Sequence, residues 1–130
     1  MFKNLILIFL LFIFFVSCND TKNKCEDAIC TQIFAMATVE INSNDTLQTQ
    51  SFLLPEKTLL HFQDGTNLSF NNSYIIADDS HLKILGYNNT RSIEFIVLKK
   101  GTVVHVDTFI IATDCCHISK TKGSEVIDLN

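Results

Sequence analysis

The chain has 130 residues, 47% of them hydrophobic, and carries 10 Lys and Arg against 14 Asp and Glu, a net charge of −4. This length is that of one ordinary domain. Its cations occur only as isolated pairs such as Lys99–Lys100, and nucleic-acid partners are excluded because phosphate binding needs a clustered positive surface.

The N-terminus has the pattern of a secretory signal. Lys3 is followed by an unbroken apolar run of twelve residues, from Leu5 to Val16. As a helix this run would rise about 18 Å, short of the roughly 30 Å hydrocarbon core of a bilayer. We therefore expect residues 1–17 to be a cleaved leader, and neither a permanent span nor the first helix of a soluble domain.

The residues that follow the apolar run resemble a bacterial lipobox. Phe15-Val16-Ser17-Cys18 places a small residue before a cysteine, although Leu is preferred where Phe15 stands. The resemblance implies cleavage after Ser17 and diacylglycerol on Cys18. We expect no cofactor besides this covalent lipid. An ordinary signal peptide with a chance cysteine is the alternative. The expected mature chain, residues 18–130, is anchored by its lipid to the bacterial cell envelope, on the periplasmic or the surface face of the outer membrane.

Residues 18–29 are polar and lack apolar periodicity, which indicates a tether between the lipid and the fold. We expect a single β domain over residues 30–130. Its first strand is predicted by "QIFAMATVEIN", in which apolar residues recur with period two. The alternating positions are Ile33, Ala35, Ala37, Val39 and Ile41.

Further short strands follow in chain order. "SFLLP" and "TLLHF" are separated by Pro55, residues 63–66 read as a turn, and "SYIIAD" is the next strand. The segment "DDSHLKILG" predicts one helical turn, capped by Asp79 and closed at Gly86, or a loop.

The clearest hairpin is "SIEFIVLKKGTVVHVDTFIIAT", with its turn at Lys100–Gly101. This turn predicts a register that lines one face of the hairpin with apolar side chains. The predicted opposite pairs are Ile93 with Thr108, Phe95 with Val106, and Val97 with Val104. The same register places His105 and Asp107 on the solvated face.

Six to eight short strands with a turn about every ten residues, and no long amphipathic helix, predict an all-β fold. We expect an antiparallel β-sandwich, Ig-like or similar, with a small barrel as the alternative.

Cys25, Cys30, Cys115 and Cys116 remain after lipidation, and an even number in a small exported domain predicts disulfides. Consecutive residues of a strand point to opposite faces, so each of the adjacent cysteines should reach a different partner. We expect bonds from Cys30 to Cys115 and from Cys25 to Cys116, in preference to the crossed version.

Two other interpretations of the segment Asp114–His117 remain open. A metal site would use Cys116 and His117 with the two early cysteines, although the spacing of that early pair is loose for such a site. A thiol site would use Cys115 or Cys116 with His117 as its base. The chain lacks the sequence motifs of serine hydrolases, zinc proteases and phosphate-binding loops, which favours a protein that is not an enzyme.

The mature chain as a whole resembles a group of small envelope lipoproteins of Bacteroidetes. The resemblance depends on Cys25 and Cys30, on Tyr74 with Asp78-Asp79-Ser80, on the hairpin Ile93 to Thr108, and on the terminal Asp114 to His117. The ending "TKGSEVIDLN" departs from the group. The resemblance implies an envelope lipoprotein with a β fold and no particular activity.

We expect a non-enzymatic accessory or binding module, attached to the membrane by its lipid and bound to an envelope protein. The alternative is an extracytoplasmic metal-binding or thiol-redox protein that uses Cys115, Cys116 and His117.

Overall fold

The structure, a computed structural model, describes residues 25–67 and 72–130. The expected leader, the cleavage position after Ser17, the lipidation site Cys18 and the first part of the tether lie outside the described residues. Among the residues described, none of the helices has both the length and the apolar character needed to cross a membrane.

Eight strands form two sheets, together with one four-residue helix in the described part of the chain. The elements are β1 (Met36–Asn42), β2 (Gln48–Leu53), β3 (Thr58–Asp64), β4 (Ser73–Asp78), α1 (Leu82–Leu85), β5 (Thr90–Lys99), β6 (Thr102–Thr113), β7 (Ile118–Lys122) and β8 (Val126–Asp128). One sheet has the order β4-β1-β8 and the other the order β3-β2-β5-β6-β7. All pairings are antiparallel except that of β1 with β8. Two separate sheets, rather than one closed sheet, confirm the predicted β-sandwich.

The core lies between the sheets and is built from the alternating apolar positions of the strands. Ala37, Val39 and Ile41 of β1 are buried, as the period-two pattern predicts. On the opposing sheet Phe95 and Phe109 pack edge to face, with ring centroids 5.7 Å apart. The first strand is shorter than predicted, because β1 begins only at Met36 and the more N-terminal Ile33 and Phe34 are exposed.

The β5–β6 hairpin turns where predicted but pairs in a different register. Lys100 and Gly101 both have positive φ, 51° and 79°, as a tight two-residue hairpin turn requires. A bulge follows, since Leu98 pairs with Val103 and Val97 with His105, which leaves Val104 without an opposite residue. The predicted register is therefore wrong by one residue beyond the bulge.

The shifted register has a packing reason. It sets Ile93 opposite Phe109, so the whole Phe109 ring enters the core. Burial stabilises in proportion to the apolar area removed from water, roughly 25 cal/mol per Å², and a phenylalanine ring buries more such area than a valine side chain does. His105 and Asp107 consequently lie half-buried on the inner face, opposite to the prediction. Asp107 is satisfied there by a hydrogen bond of 2.6 Å from the Ser124 hydroxyl.

The segment after β4 forms a short 3-10 turn followed by α1. The residue that caps it is Asp78 and not Asp79, since the Asp78 side chain accepts from the Ser80 amide at 2.9 Å. Gly86, with φ 85°, ends the segment as predicted. Because Asp78 fills the capping position, the carboxylate of Asp79 is available for long-range contacts.

Candidate functional site

The Asp114–His117 segment is a tight turn between β6 and β7. The Asp114 carboxylate organises it by accepting from the backbone amides of Cys116 at 2.6 Å and His117 at 2.7 Å. These two hydrogen bonds hold the pKa of Asp114 below its ordinary value of 3.8. Asp114 therefore acts on the backbone of the two residues it holds, and the cysteines belong to a turn rather than to a strand.

Two disulfides join this turn to the N-terminal segment. Cys25 is bonded to Cys115 and Cys30 to Cys116, with Cα atoms 5.1 and 5.2 Å apart. The adjacent cysteines do reach different partners, but the expected pairing of Cys30 with Cys115 and Cys25 with Cys116 is wrong. We call this part of the molecule the crosslinked end.

The reason for the observed pairing is the direction in which the N-terminal segment runs. After the bond from Cys30 to Cys116, the next residues on each side also meet, with Thr31 Oγ1 lying 2.9 Å from His117 Nε2. Ala35 then reaches the Asp79 carboxylate with its backbone amide, at 2.8 Å. Pairing Cys30 with Cys115 and Cys25 with Cys116 would reverse the order of these contacts and lead the chain away from Asp79.

Asp79 is the most heavily bonded carboxylate at the crosslinked end. Its side chain is 9% exposed and accepts from the Ala35 amide, from the Ile118 amide at 2.8 Å and from His117 Nδ1 at 2.7 Å. Burial raises the pKa of Asp79, and the three hydrogen bonds together lower it further than that, so the net shift is downward from 3.8. Asp79 is thus ionised at neutral pH.

The side chains of Asp79, His117 and Thr31 are hydrogen-bonded in a row, as the carboxylate, imidazole and hydroxyl of a catalytic triad are. An ionised carboxylate can only accept, so the hydrogen lies on His117 Nδ1 and Nε2 faces the Thr31 hydroxyl. A cavity of about 230 Å³ at this end is lined by Cys25, Glu26, Tyr87 and Cys115, and neither Thr31 nor His117 belongs to its lining. The arrangement therefore holds three segments of the chain together.

The thiol site and the metal site considered from the sequence are not formed by the described residues. The sulfur of Cys116 forms a disulfide and the His117 ring contacts Asp79 and Thr31, so Cys116 and His117 do not form a thiol and its base. Within residues 25–67 and 72–130, no three His, Cys, Asp or Glu side chains are grouped to hold a metal ion. The hydrogen bonds of Asp79 and Thr31 to His117 could not be predicted from the sequence, because they join residues 38 and 86 positions apart.

A polar side chain contacts the Cys25–Cys115 disulfide, and the sequence did not indicate this contact. The Asn88 side-chain amide lies 3.3 Å from the sulfur of Cys25 and 3.4 Å from that of Cys115. Asn88 adopts a positive φ of 49°. The same disulfide lines the cavity beside Tyr87, so the cavity gives an external thiol a path to this bond.

A second surface lies on the outer side of the five-stranded sheet. Phe62, Gln50, Ile96 and Val106 form one row across four strands. Phe62 and Val106 are 50% and 51% exposed. We define the outer sheet face by its apolar members: Phe52, Leu59, Phe62, Ile96, Val103 and Val106. An exposed apolar surface of this kind is typical of protein–protein contact sites.

The fold and the crosslinked end together define a small, disulfide-bonded all-β domain of two sheets. Comparison of the chain with models of protein families, with curated proteins and with solved structures finds no match. The geometry of the crosslinked end and of the outer sheet face is therefore the basis for a functional proposal.

Proposed function

We propose that the protein is a lipid-anchored, non-enzymatic binding module of a bacterial cell envelope that holds a partner protein against its outer sheet face. The observation that carries this proposal is a group of exposed apolar side chains on that face, since Leu59, Phe62, Val103 and Val106 are between 50% and 53% exposed. Burying such side chains against a complementary apolar surface is the main source of affinity in many protein contacts.

The extracytoplasmic location is supported by the two disulfides, because such bonds form and persist in oxidising compartments. It is further supported by the leader pattern of residues 1–17 and by the lipobox resemblance that ends at Cys18. A lipid on Cys18 supplies roughly 0.8 kcal/mol for each buried methylene, so two or three chains hold a domain of this size firmly.

We infer that the proposed anchor and the part of the outer sheet face beside the Lys100–Gly101 turn lie toward opposite ends of the molecule. Cys25 follows Cys18 by seven residues, which span at most about 25 Å when extended. Through its bond to Cys115, the crosslinked end therefore stays near the bilayer. The Lys100–Gly101 turn lies at the other end of the twelve-residue β6, about 40 Å from the crosslinked end. Val103, which lies beside this turn, is therefore far from the expected bilayer.

Photocrosslinking tests the binding proposal. A photoreactive residue at Val106 should give a covalent adduct with one envelope protein in cells that make the full chain. Val126 is the matched control, since it is a similarly exposed valine, 45% against 51%, but belongs to the other sheet. Adducts at both Val106 and Val126 would contradict the assignment of the outer sheet face. So would the absence of any adduct at Val106, at Val126 and at a third photoreactive position, Phe62.

The anchor is tested separately by mass spectrometry of the native product. We expect a chain that begins at Cys18 and carries the added mass of its acyl groups. An intact Met1, or an unmodified Cys18, would refute the lipid anchor without bearing on the photocrosslinking result.

A thiol-exchange function is the second candidate, favoured by the cavity beside the Cys25–Cys115 disulfide. It predicts that a small dithiol reduces this bond well before the Cys30–Cys116 bond. Alkylation and intact mass after brief reduction distinguish the two functions. Simultaneous reduction of both bonds would leave the second candidate without support.

A further inference from the structure

The N-terminal segment Cys25–Met36 exposes several large apolar side chains. The exposed fractions are 98% for Ile29, 73% for Ile33, 57% for Phe34 and 53% for Met36. Single exposed apolar residues are ordinary on protein surfaces. Four of them within eight consecutive residues form a local concentration that calls for a physical explanation.

The backbone of this segment is fixed at both ends, so its side chains cannot simply turn toward the core. The loop that contains Ile29 is closed by disulfides at Cys25 and Cys30. The stretch that contains Ile33 and Phe34 begins where Thr31 meets His117. It ends at Ala35, whose amide and carbonyl both bond to Asp79, at 2.8 and 3.1 Å. The fold therefore holds these apolar side chains outward.

The location of the segment suggests what covers it. It belongs to the crosslinked end, which seven residues of tether hold within about 25 Å of an acylated Cys18. We propose that Ile29, Ile33 and Phe34 insert into the boundary between headgroups and acyl chains of the bilayer that carries the lipid. This inference rests on the proposed anchor, and it adds a second membrane contact that sets the orientation of the domain.

The contact is apolar and not electrostatic. Residues 25–36 contain the acidic Glu26 and Asp27 but no Lys or Arg, so they offer no attraction to anionic headgroups. Side chains that bind a surface without charge attraction are insensitive to screening by salt. Because the acyl anchor keeps the segment at the surface, even a weak contact is populated through the high effective concentration.

The orientation also serves the outer sheet face. With the crosslinked end against the bilayer, Val103, which lies beside the Lys100–Gly101 turn, stays at the end of the domain far from the lipid. A domain held only by its tether would sample all orientations, including those in which the outer sheet face itself touches the membrane.

Tryptophan fluorescence tests the inference, because the chain has no tryptophan of its own. The variants Phe34→Trp and Val104→Trp are matched, since both positions are exposed, 57% and 43%, and lie near opposite ends of the molecule. Each is tethered to phosphatidylcholine vesicles through a histidine tag placed at residue 18 and a nickel-chelating lipid. This tether fixes the N-terminus at the bilayer whether or not the native Cys18 is acylated.

We expect the emission of Phe34→Trp to shift to the blue on vesicles and to be lost when the acyl chains carry bromine. The emission of Val104→Trp should be unchanged, and added salt should not reverse the shift. Equal quenching of the two variants by a water-soluble quencher, with the tether intact, would overturn the proposal.

Two further results bear on the same point. A blue shift of Phe34→Trp that needs no vesicles and grows with protein concentration would show that a second copy covers the segment, which overturns the membrane contact. Adding Ile29→Asn and Ile33→Asn to the Phe34→Trp variant should abolish the blue shift on vesicles and leave the midpoint of urea denaturation unchanged. A blue shift that is retained in this triple variant would also refute the proposal. Acylation is read separately from the native mass, so failure of the anchor and failure of this contact are distinguishable.

Discussion

Removing one of the two disulfides should cost the domain far less stability than removing both. The reason is their arrangement, since both bonds close nearly the same long loop, with separations of 90 and 86 residues. When the Cys30–Cys116 bond is present, the Cys25–Cys115 bond closes only the short path through residues 25–30 and 115–116. That path is about six residues long.

The chain-entropy relation gives the magnitudes. Closing a loop of about 90 residues stabilises by about 4.6 kcal/mol, and closing one of about six residues by about 2.2 kcal/mol. Replacing Cys25 and Cys115 with serine should therefore cost about 2 kcal/mol, and so should replacing Cys30 and Cys116. Replacing all four should cost about 7 kcal/mol, comparable to the whole stability of a small domain.

Urea denaturation followed by far-UV circular dichroism measures these differences, and alkylation with intact mass counts free thiols. A matched control removes one cysteine from each bond. Cys25→Ser with Cys116→Ser should leave two alkylatable thiols and lose both crosslinks, whereas Cys25→Ser with Cys115→Ser should leave none. Losses of more than about 4 kcal/mol for each single crosslink, or an oxidised Cys30–Cys115 bond in the control, would refute the reasoning.

Three further predictions concern residues away from the sulfurs. Asp79→Ala should destabilise by about 3–5 kcal/mol, because two backbone amides and the Nδ1 of the half-buried His117 ring lose their acceptor. Thr31→Val should cost under about 1 kcal/mol in the same urea assay. Because folding lowers the pKa of Asp79, the contribution of this carboxylate to the free energy of unfolding is complete above pH 3.8 and is lost as pH falls through the pKa of the folded state. Asp79→Asn should therefore flatten the acid limb of a curve of stability against pH. Gly123→Ala should cost about 2–4 kcal/mol, since φ is 119° and the added carbon would meet the Phe109 ring. Gly101→Ala, with open space and φ 79°, should cost about 1 kcal/mol, and equal thermal shifts for the two glycines would contradict this.

The lipid anchor, the partner protein and the resemblance to Bacteroidetes lipoproteins are expectations drawn from the sequence. They remain predictions. The mass of the native product and the photocrosslinked adduct at Val106 are the two measurements that test the anchor and the partner.

Local chemistry by itself determined much of this protein. Alternation along β1 identified Ala37, Val39 and Ile41 as core residues, because side chains of a strand point to opposite faces in turn. The turn at Lys100–Gly101 was also predictable, since glycine tolerates the positive φ that a tight hairpin needs. Each of these inferences uses only neighbours in the chain.

Tertiary structure alone decided the features that depend on distant segments. The bulge beside Val104 exists because it brings the Phe109 ring into a core shared with the other sheet, and no local pattern encodes that gain. The cysteine pairing and the bonds of Asp79 likewise follow from where the N-terminal segment meets the Asp114–His117 turn. Segments more than 80 residues apart meet where their combined packing and hydrogen bonding is most favourable, and that is a property of the whole fold.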